Sequence, residues 1–171
     1  MQRRKFIVLA ASAAGLAVAT LSGCGFALRK APVFAFKTLY TSLPETSVLG
    51  TELKRSLESN RSVRVVSDAA RINEADVILD VLGDQREKAV VGVNAAGQVR
   101  EFQLRVRFSF RLRTPAGKEL IPPTELLLTR DISFNESAVL AKEAEEGLLY
   151  RDMQGDIVQQ VLRRLAAVQS L

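Results

Sequence analysis

The stretch Glu101-Phe102-Gln103-Leu104-Arg105-Val106-Arg107-Phe108-Ser109-Phe110-Arg111-Leu112-Arg113 alternates apolar and polar side chains from Phe102 to Arg113 without an error. A period of two is the signature of a strand with one buried and one wet face. Phe102, Leu104, Val106, Phe108, Phe110 and Leu112 belong to the face that packs. Gln103, Arg105, Arg107, Ser109, Arg111 and Arg113 belong to the other. On both sides the chain turns back. Asn94-Ala95-Ala96-Gly97 precedes the strand and Thr114-Pro115-Ala116-Gly117 follows it, each with a Gly available for a positive φ.

Outward from this strand the pattern extends in both directions. Asp76–Leu82 alternates, and after a break near Gly83 the strand resumes from Arg86 to Val93. Lys118–Phe134 returns as a strand, interrupted at Pro122-Pro123, which places it at an edge or a bulge. Asn135 suits an N-cap with Glu136 just inside, and apolar residues from Val139 to Val168 recur at helical steps to about Gln169. Gly147 and Gly155 weaken that helix and leave room for a kink. Upstream, Val33–Tyr40 reads as a strand and Ser47–Asn60 as an amphipathic helix, with Leu49, Leu53 and Leu57 on one side. Ser62–Val66 is a short strand, and Ala69–Glu74 a loop or a single turn. The order β-α-β-β-β-β-α predicts one α+β domain with helices on one sheet face.

The chain has 171 residues, 47% hydrophobic and 25% charged, which suits one globular domain. It contains no His and one Cys, so imidazole-based nucleophile activation, His or Cys metal clusters and an internal disulfide are all excluded. No Gly-rich phosphate loop or nucleophile elbow occurs. Glu143, Glu145 and Glu146 read as solvated helix charges. The expectation is a protein that is not an enzyme and needs no cofactor.

Residues 1–23 give the address. Arg3, Arg4 and Lys5 precede an uncharged run from Phe6 to Leu21, and Leu21-Ser22-Gly23-Cys24 closes it. At about 1.5 Å per residue that run is short for a membrane span of about 30 Å, so it reads as a cleaved signal. The four residues ending in Cys24 resemble the bacterial lipobox, with lipid attached to Cys24. Gly25, not Asp, follows, which in families sorted this way resembles an outer-membrane address. The expected organisation is a signal peptide over 1–23, a lipidated tether over 24–32 and a single domain over 33–171. Removing Arg3, Arg4 and Lys5 lowers the net charge from +5 to +2, and no nucleic-acid partner is indicated.

Between Arg86 and Arg113 seven basic residues face two acidic ones, a net of +5, where the chain after removal of residues 1–23 carries only +2 in all. Six of the seven are Arg, whose fork suits phosphate and carboxylate. Two readings fit: arginines that keep a sheet soluble, or an arginine face that meets an anionic partner. Outside the inner membrane that partner is lipopolysaccharide or an acidic wall of another protein.

Further motifs resemble one family. Cys24-Gly25-Phe26 with Leu28-Arg29, Gly97-Gln98 leading into Glu101-Phe102-Gln103-Leu104, Val139-Leu140-Ala141-Lys142-Glu143, Arg151-Asp152-Met153 and Val161-Leu162-Arg163-Arg164-Leu165 resemble LptE, the lipoprotein half of the outer-membrane lipopolysaccharide translocon. The resemblance implies two helices on a roughly four-stranded mixed sheet. It also implies a plug inside the LptD β-barrel that assists barrel assembly and contacts lipopolysaccharide. A basic position linked to lipopolysaccharide falls on Lys142; a second, in the hairpin, falls on Ala95, where Arg100 or the arginine face substitutes. The expected contacts are Lys142, Arg100, Arg105, Arg107, Arg111 and Arg113. The competing reading is a stand-alone periplasm-facing lipoprotein that binds cell-wall polymer or activates an envelope enzyme.

Overall fold

The computed structural model describes residues 32–44, 46–59 and 63–171. The expected signal peptide over 1–23, Cys24 and the expected tether up to residue 31 lie outside the described residues, as do Asn60 and Ser62.

The alternating stretch is the spine of the sheet. It forms most of β4 (Val99–Arg113), in which Leu104, Val106, Phe108, Phe110 and Leu112 are fully buried and the residues between them are half-exposed. β4 pairs antiparallel with β3 (Val77–Val93) on one side and β5 (Glu119–Ser133) on the other. The two hairpin turns are as read: Gly97 and Gly117 take φ of 78° and 89°. Asn94 N–H donates to the Gln98 carbonyl, and the Asn94 carboxamide oxygen accepts from the amides of Ala96 and Gln98.

β1 (Thr38–Thr41) and β2 (Arg64–Val66) complete a five-stranded mixed sheet in the order β2-β1-β3-β4-β5, with β1 parallel to both neighbours. The three-residue β2 accounts for the difference from a four-stranded expectation. A parallel pair needs a crossover, and α1 (Val48–Glu58) supplies it. Its cap is Ser47, whose Oγ accepts from Gly50 N–H at 3.1 Å, and Leu49, Leu53 and Leu57 point inward one turn apart. Space at Gly50 is tight: a Cβ there would lie 3.1 Å from Leu43 Cβ and 3.2 Å from the Pro44 carbonyl.

The strand expected over 33–40 is shorter, because β2 and β3 offer partners only from Thr38 onward. Ahead of it the chain is fastened by one carboxylate, Asp76, which accepts from the amides of Lys37 and Thr38 at 2.8 and 3.0 Å. Those bonds hold the Asp76 carboxyl below the ordinary range against the opposing effect of burial. The long helix α2 (Val139–Ala166) runs unbroken through Gly147 and Gly155 and stops three residues before Gln169.

Both helices cover one face of the sheet. Leu49, Leu53 and Leu57 of α1 and Met153, Ile157, Val158, Val161, Leu162 and Leu165 of α2 join Leu104, Val106, Phe108, Phe110 and Leu112 in one core. Each such side chain contributes about 1.5–3 kcal/mol by leaving water. The opposite face carries a smaller cluster of Tyr40, Val66, Ala75 and Ile78, closed by Ile72 from the 3₁₀ turn Ala69–Glu74. Beyond that cluster the face belongs to the arginines.

Candidate functional site

A bulge sets which charged residues share a face. β3 and β4 pair Val81 with Phe110 and then Gly83 with Ser109, so Leu82 is an extra residue and half-exposed. The uninterrupted alternation would have put Arg86 and Lys88 beside Asp80. The extra residue turns Asp84, Arg86 and Lys88 to the helix-covered face and brings Gln85 and Glu87 beside the arginines.

Arg105, Arg107, Arg111 and Arg113 therefore stand in line on the uncovered face, as their spacing predicts. They are not a bare cationic surface. Asp80 lies opposite Arg111, Glu87 opposite Arg105, Glu125 opposite Ser109 and Asp131 opposite Gln103, four carboxylates from the flanking strands against four guanidiniums. Asp80 Oδ2 accepts from both Arg111 Nε and Arg113 Nε at 2.8 Å. Burial pushes the Asp80 carboxyl up, and the bonds from Arg113 and Arg111 outweigh it and hold it below the usual value. The same contact raises Arg113 above its ordinary value. Arg107 Nη1 pairs with Glu125 Oε1 at 2.9 Å. Arg105 Nε donates to Gln103 Oε1 at 2.8 Å, and Gln103 Nε2 in turn donates to Asp131 Oδ1 at 3.0 Å. Arg100, nearer the hairpin tip, meets only Gln98 Oε1 at 3.5 Å. Among the described residues, Arg100 and Arg105 have no carboxylate within ion-pair distance. The linear excess of charge is thus mostly cancelled in space, and on this face Arg100 and Arg105 are left without a carboxylate partner.

Lys142 sits elsewhere, on the first turns of α2, where its Nζ donates to Ser133 Oγ at 3.0 Å and to Glu145 Oε2 at 2.8 Å. It lines a cleft of about 210 Å³ between α2 and the strands, with Phe102, Ile132, Phe134 and Val139 as apolar walls. Lys88 closes the other side. Its ammonium pairs with Glu146 Oε2 at 2.6 Å and lies 4.2 Å from the centre of the Phe102 ring. Next to it Arg86 stacks over Tyr150 at 5.7 Å, and the Tyr150 hydroxyl donates to the Glu87 carbonyl at 2.8 Å. Burial, then Glu146, push the Tyr150 phenol up, with Arg86 opposing, so it stays a donor at neutral pH.

The arginine ladder and the Lys142 cleft are accordingly two sites on opposite faces of one sheet. Sequence reasoning missed Lys88 as the partner of Lys142 across the cleft, because the bulge at Leu82 carries no strong local signal beyond the adjacent Gly83. Among the described residues, no three acidic or Cys side chains come together to hold a metal ion. No described helix is long and apolar enough to cross a membrane, which says nothing of strands.

Residues 36–165 match the family described as LptE, lipopolysaccharide-assembly. The chain is 30% identical over 158 residues to the LPS-assembly lipoprotein LptE of Yersinia pestis (strain Pestoides F), covering 90% of this chain and 73% of the relative. The same protein of Yersinia pseudotuberculosis serotype O:1b matches equally. Among solved structures, the fold resembles the solution structure of a lipoprotein B from Nitrosomonas europaea, with TM-score 0.69, 35% identity and coverage of 84% of this chain and 91% of that one. The crystal structure of the rare lipoprotein B from Shewanella oneidensis shares the fold at TM-score 0.63 and 23% identity, over 77% of this chain and 95% of that one.

Proposed function

The chain belongs to the LptE lipopolysaccharide-assembly family, and from that premise we propose that it is an outer-membrane lipoprotein, anchored through Cys24, that plugs the LptD β-barrel. In that position it assists barrel assembly and contacts lipopolysaccharide on its way to the cell surface. The observation that carries the reading is the family match over residues 36–165, which takes in every strand and nearly all of α2. The surface fits the role. A body enclosed in a wet lumen needs polar groups on several sides, and here one sheet face carries a ladder of ion pairs while the outward side of α2 carries Glu143, Glu145, Asp152 and Asp156.

Within this reading the contacts divide. Arg107, Arg111 and Arg113 are committed to Glu125 and Asp80 and brace the sheet. Arg100 and Arg105 offer guanidinium donors to phosphate or to luminal acids. Lys142, across from Lys88, offers an ammonium at the rim of an apolar cleft, a combination suited to an amphiphile with a phosphate beside an acyl chain. None of these roles requires catalysis or a cofactor.

Depleting the chain from its host tests the proposal. The expected result is a fall in correctly assembled, heat-modifiable LptD barrel and in surface lipopolysaccharide. Unchanged levels of both would exclude the plug and leave the stand-alone lipoprotein reading.

A further inference from the structure

The sheet has three stretches of strand without a neighbour among the described residues, and they differ in kind. β2 is only three residues long. β3 lacks a neighbour on the β1 side beyond Leu79, but it is broken by register shifts at Val81/Gly83, Val90/Gly92 and Gly92/Val93. Bulges of this sort twist an edge out of reach of another strand. The outer edge of β5 has no such protection. From Thr124 to Ser133 its pairing with β4 runs in unbroken register, Phe110 with Thr124 through Glu101 with Ser133. The stretch holds no proline and no lysine; Pro122 and Pro123 only bound it at one end. Ten residues extend about 33 Å, and half of their backbone N–H and C=O groups point away from β4.

We infer that the Thr124–Ser133 edge of β5 receives an extended segment of the barrel partner as a sixth strand; this rests on the plug reading above. An open, regular row of backbone donors and acceptors is matched in full only by another extended backbone. The side chains agree. Leu126 is buried and pins the strand to the core, whereas Leu127 is 48% exposed on the ladder face beside Thr129. A strand laid alongside covers Leu127, and basic residues at its ends meet Glu125 and Asp131. One outward carbonyl is already occupied by a local substitute: Arg130 Nη1 donates to the Thr129 carbonyl at 3.0 Å, a bond that an incoming amide replaces. A second copy of this chain is a poorer occupant. Antiparallel pairing about Leu128 sets Glu125 against Asp131, and pairing about Thr129 sets Leu127 against Asp131.

The test places a photoreactive side chain at Leu127 or Thr129 of the full-length lipoprotein in cells, with Gln85 on β3 as the control position. After irradiation, the complex is purified and adducts are mapped by peptide mass. The expected result is that both β5 positions mark one segment of the barrel, with the marked site shifting by two residues when the probe moves by two, and that Gln85 does not mark it. If the barrel is recovered intact but the adducts scatter, are absent, or fall on lipid or on a second copy of this chain, the strand-addition inference fails while the plug reading stands. If no barrel is recovered, both fail.

Discussion

At the scale of single residues, the arginine ladder divides into side chains that hold the sheet and side chains with donors to spare. Asp80 is the clearest of the first kind, accepting from two guanidiniums at 2.8 Å. Its carboxyl is held below the ordinary value near 4. A depressed folded-state value stabilises the protein above the unfolded value, and that contribution disappears as pH falls through the folded one. Asp80→Asn should therefore cost about 1 kcal/mol at pH 7, where partly exposed pairs are screened, and should lose less further stability than the parent on acidification below about pH 4. Thermal unfolding followed by circular dichroism at pH 7 and pH 3 checks both; equal acid sensitivity in parent and variant would contradict the assignment. Arg100 and Arg105 belong to the second kind. Arg100→Gln and Arg105→Gln should each weaken lipopolysaccharide binding about fivefold, equivalent to about 1 kcal/mol, with little change in Tm. Arg113→Gln should do the reverse, lowering Tm with little effect on binding. The four-arginine line was legible in the sequence because side-chain type and spacing are local, whereas Lys142 was marked only by the family resemblance. Which arginine is already spent was not, since Asp80 and Glu125 come from other strands.

At the scale of elements, local periodicity was enough wherever one strand or helix meets one core. β4 follows its alternation residue for residue, and Leu49, Leu53 and Leu57 of α1 are buried as read. Reading went astray where a neighbour decides. The chain over 33–37 has strand-like alternation but, among the described residues, no strand paired with it, so Phe36 is buried from an irregular segment. The bulge at Leu82 reverses the side chains of β3 from Gly83 to Val90, and no count of alternation can see it without β4. Gly147 and Gly155 weaken the helical pattern locally, yet α2 is unbroken, and a Cβ at either glycine would meet nothing within 4 Å. Gly147→Ala and Gly155→Ala should thus each stabilise the free protein by up to about 1 kcal/mol, and additively. Urea unfolding of the single and double variants measures this; a destabilised variant would mean that the helix bends or packs at that point.

At the scale of the whole molecule, the α+β class and the order of elements could be read from one sequence, whereas sheet order could not, because β1 joins β3 only through pairing distant in the chain. The assembled body has its core on one side of the sheet, ion pairs on the other, an amphiphilic cleft at the start of α2 and one regular edge left open. These features are what the proposed plug, a subunit enclosed by a partner, requires. Tagging the C-terminus of the lipidated protein, extracting outer membranes in mild detergent and determining the composition and mass of what co-purifies is the most direct check. The plug account predicts a single large heat-modifiable β-barrel in one-to-one ratio with this chain. Recovery of the chain alone, or with a cell-wall enzyme in place of the barrel, would contradict it.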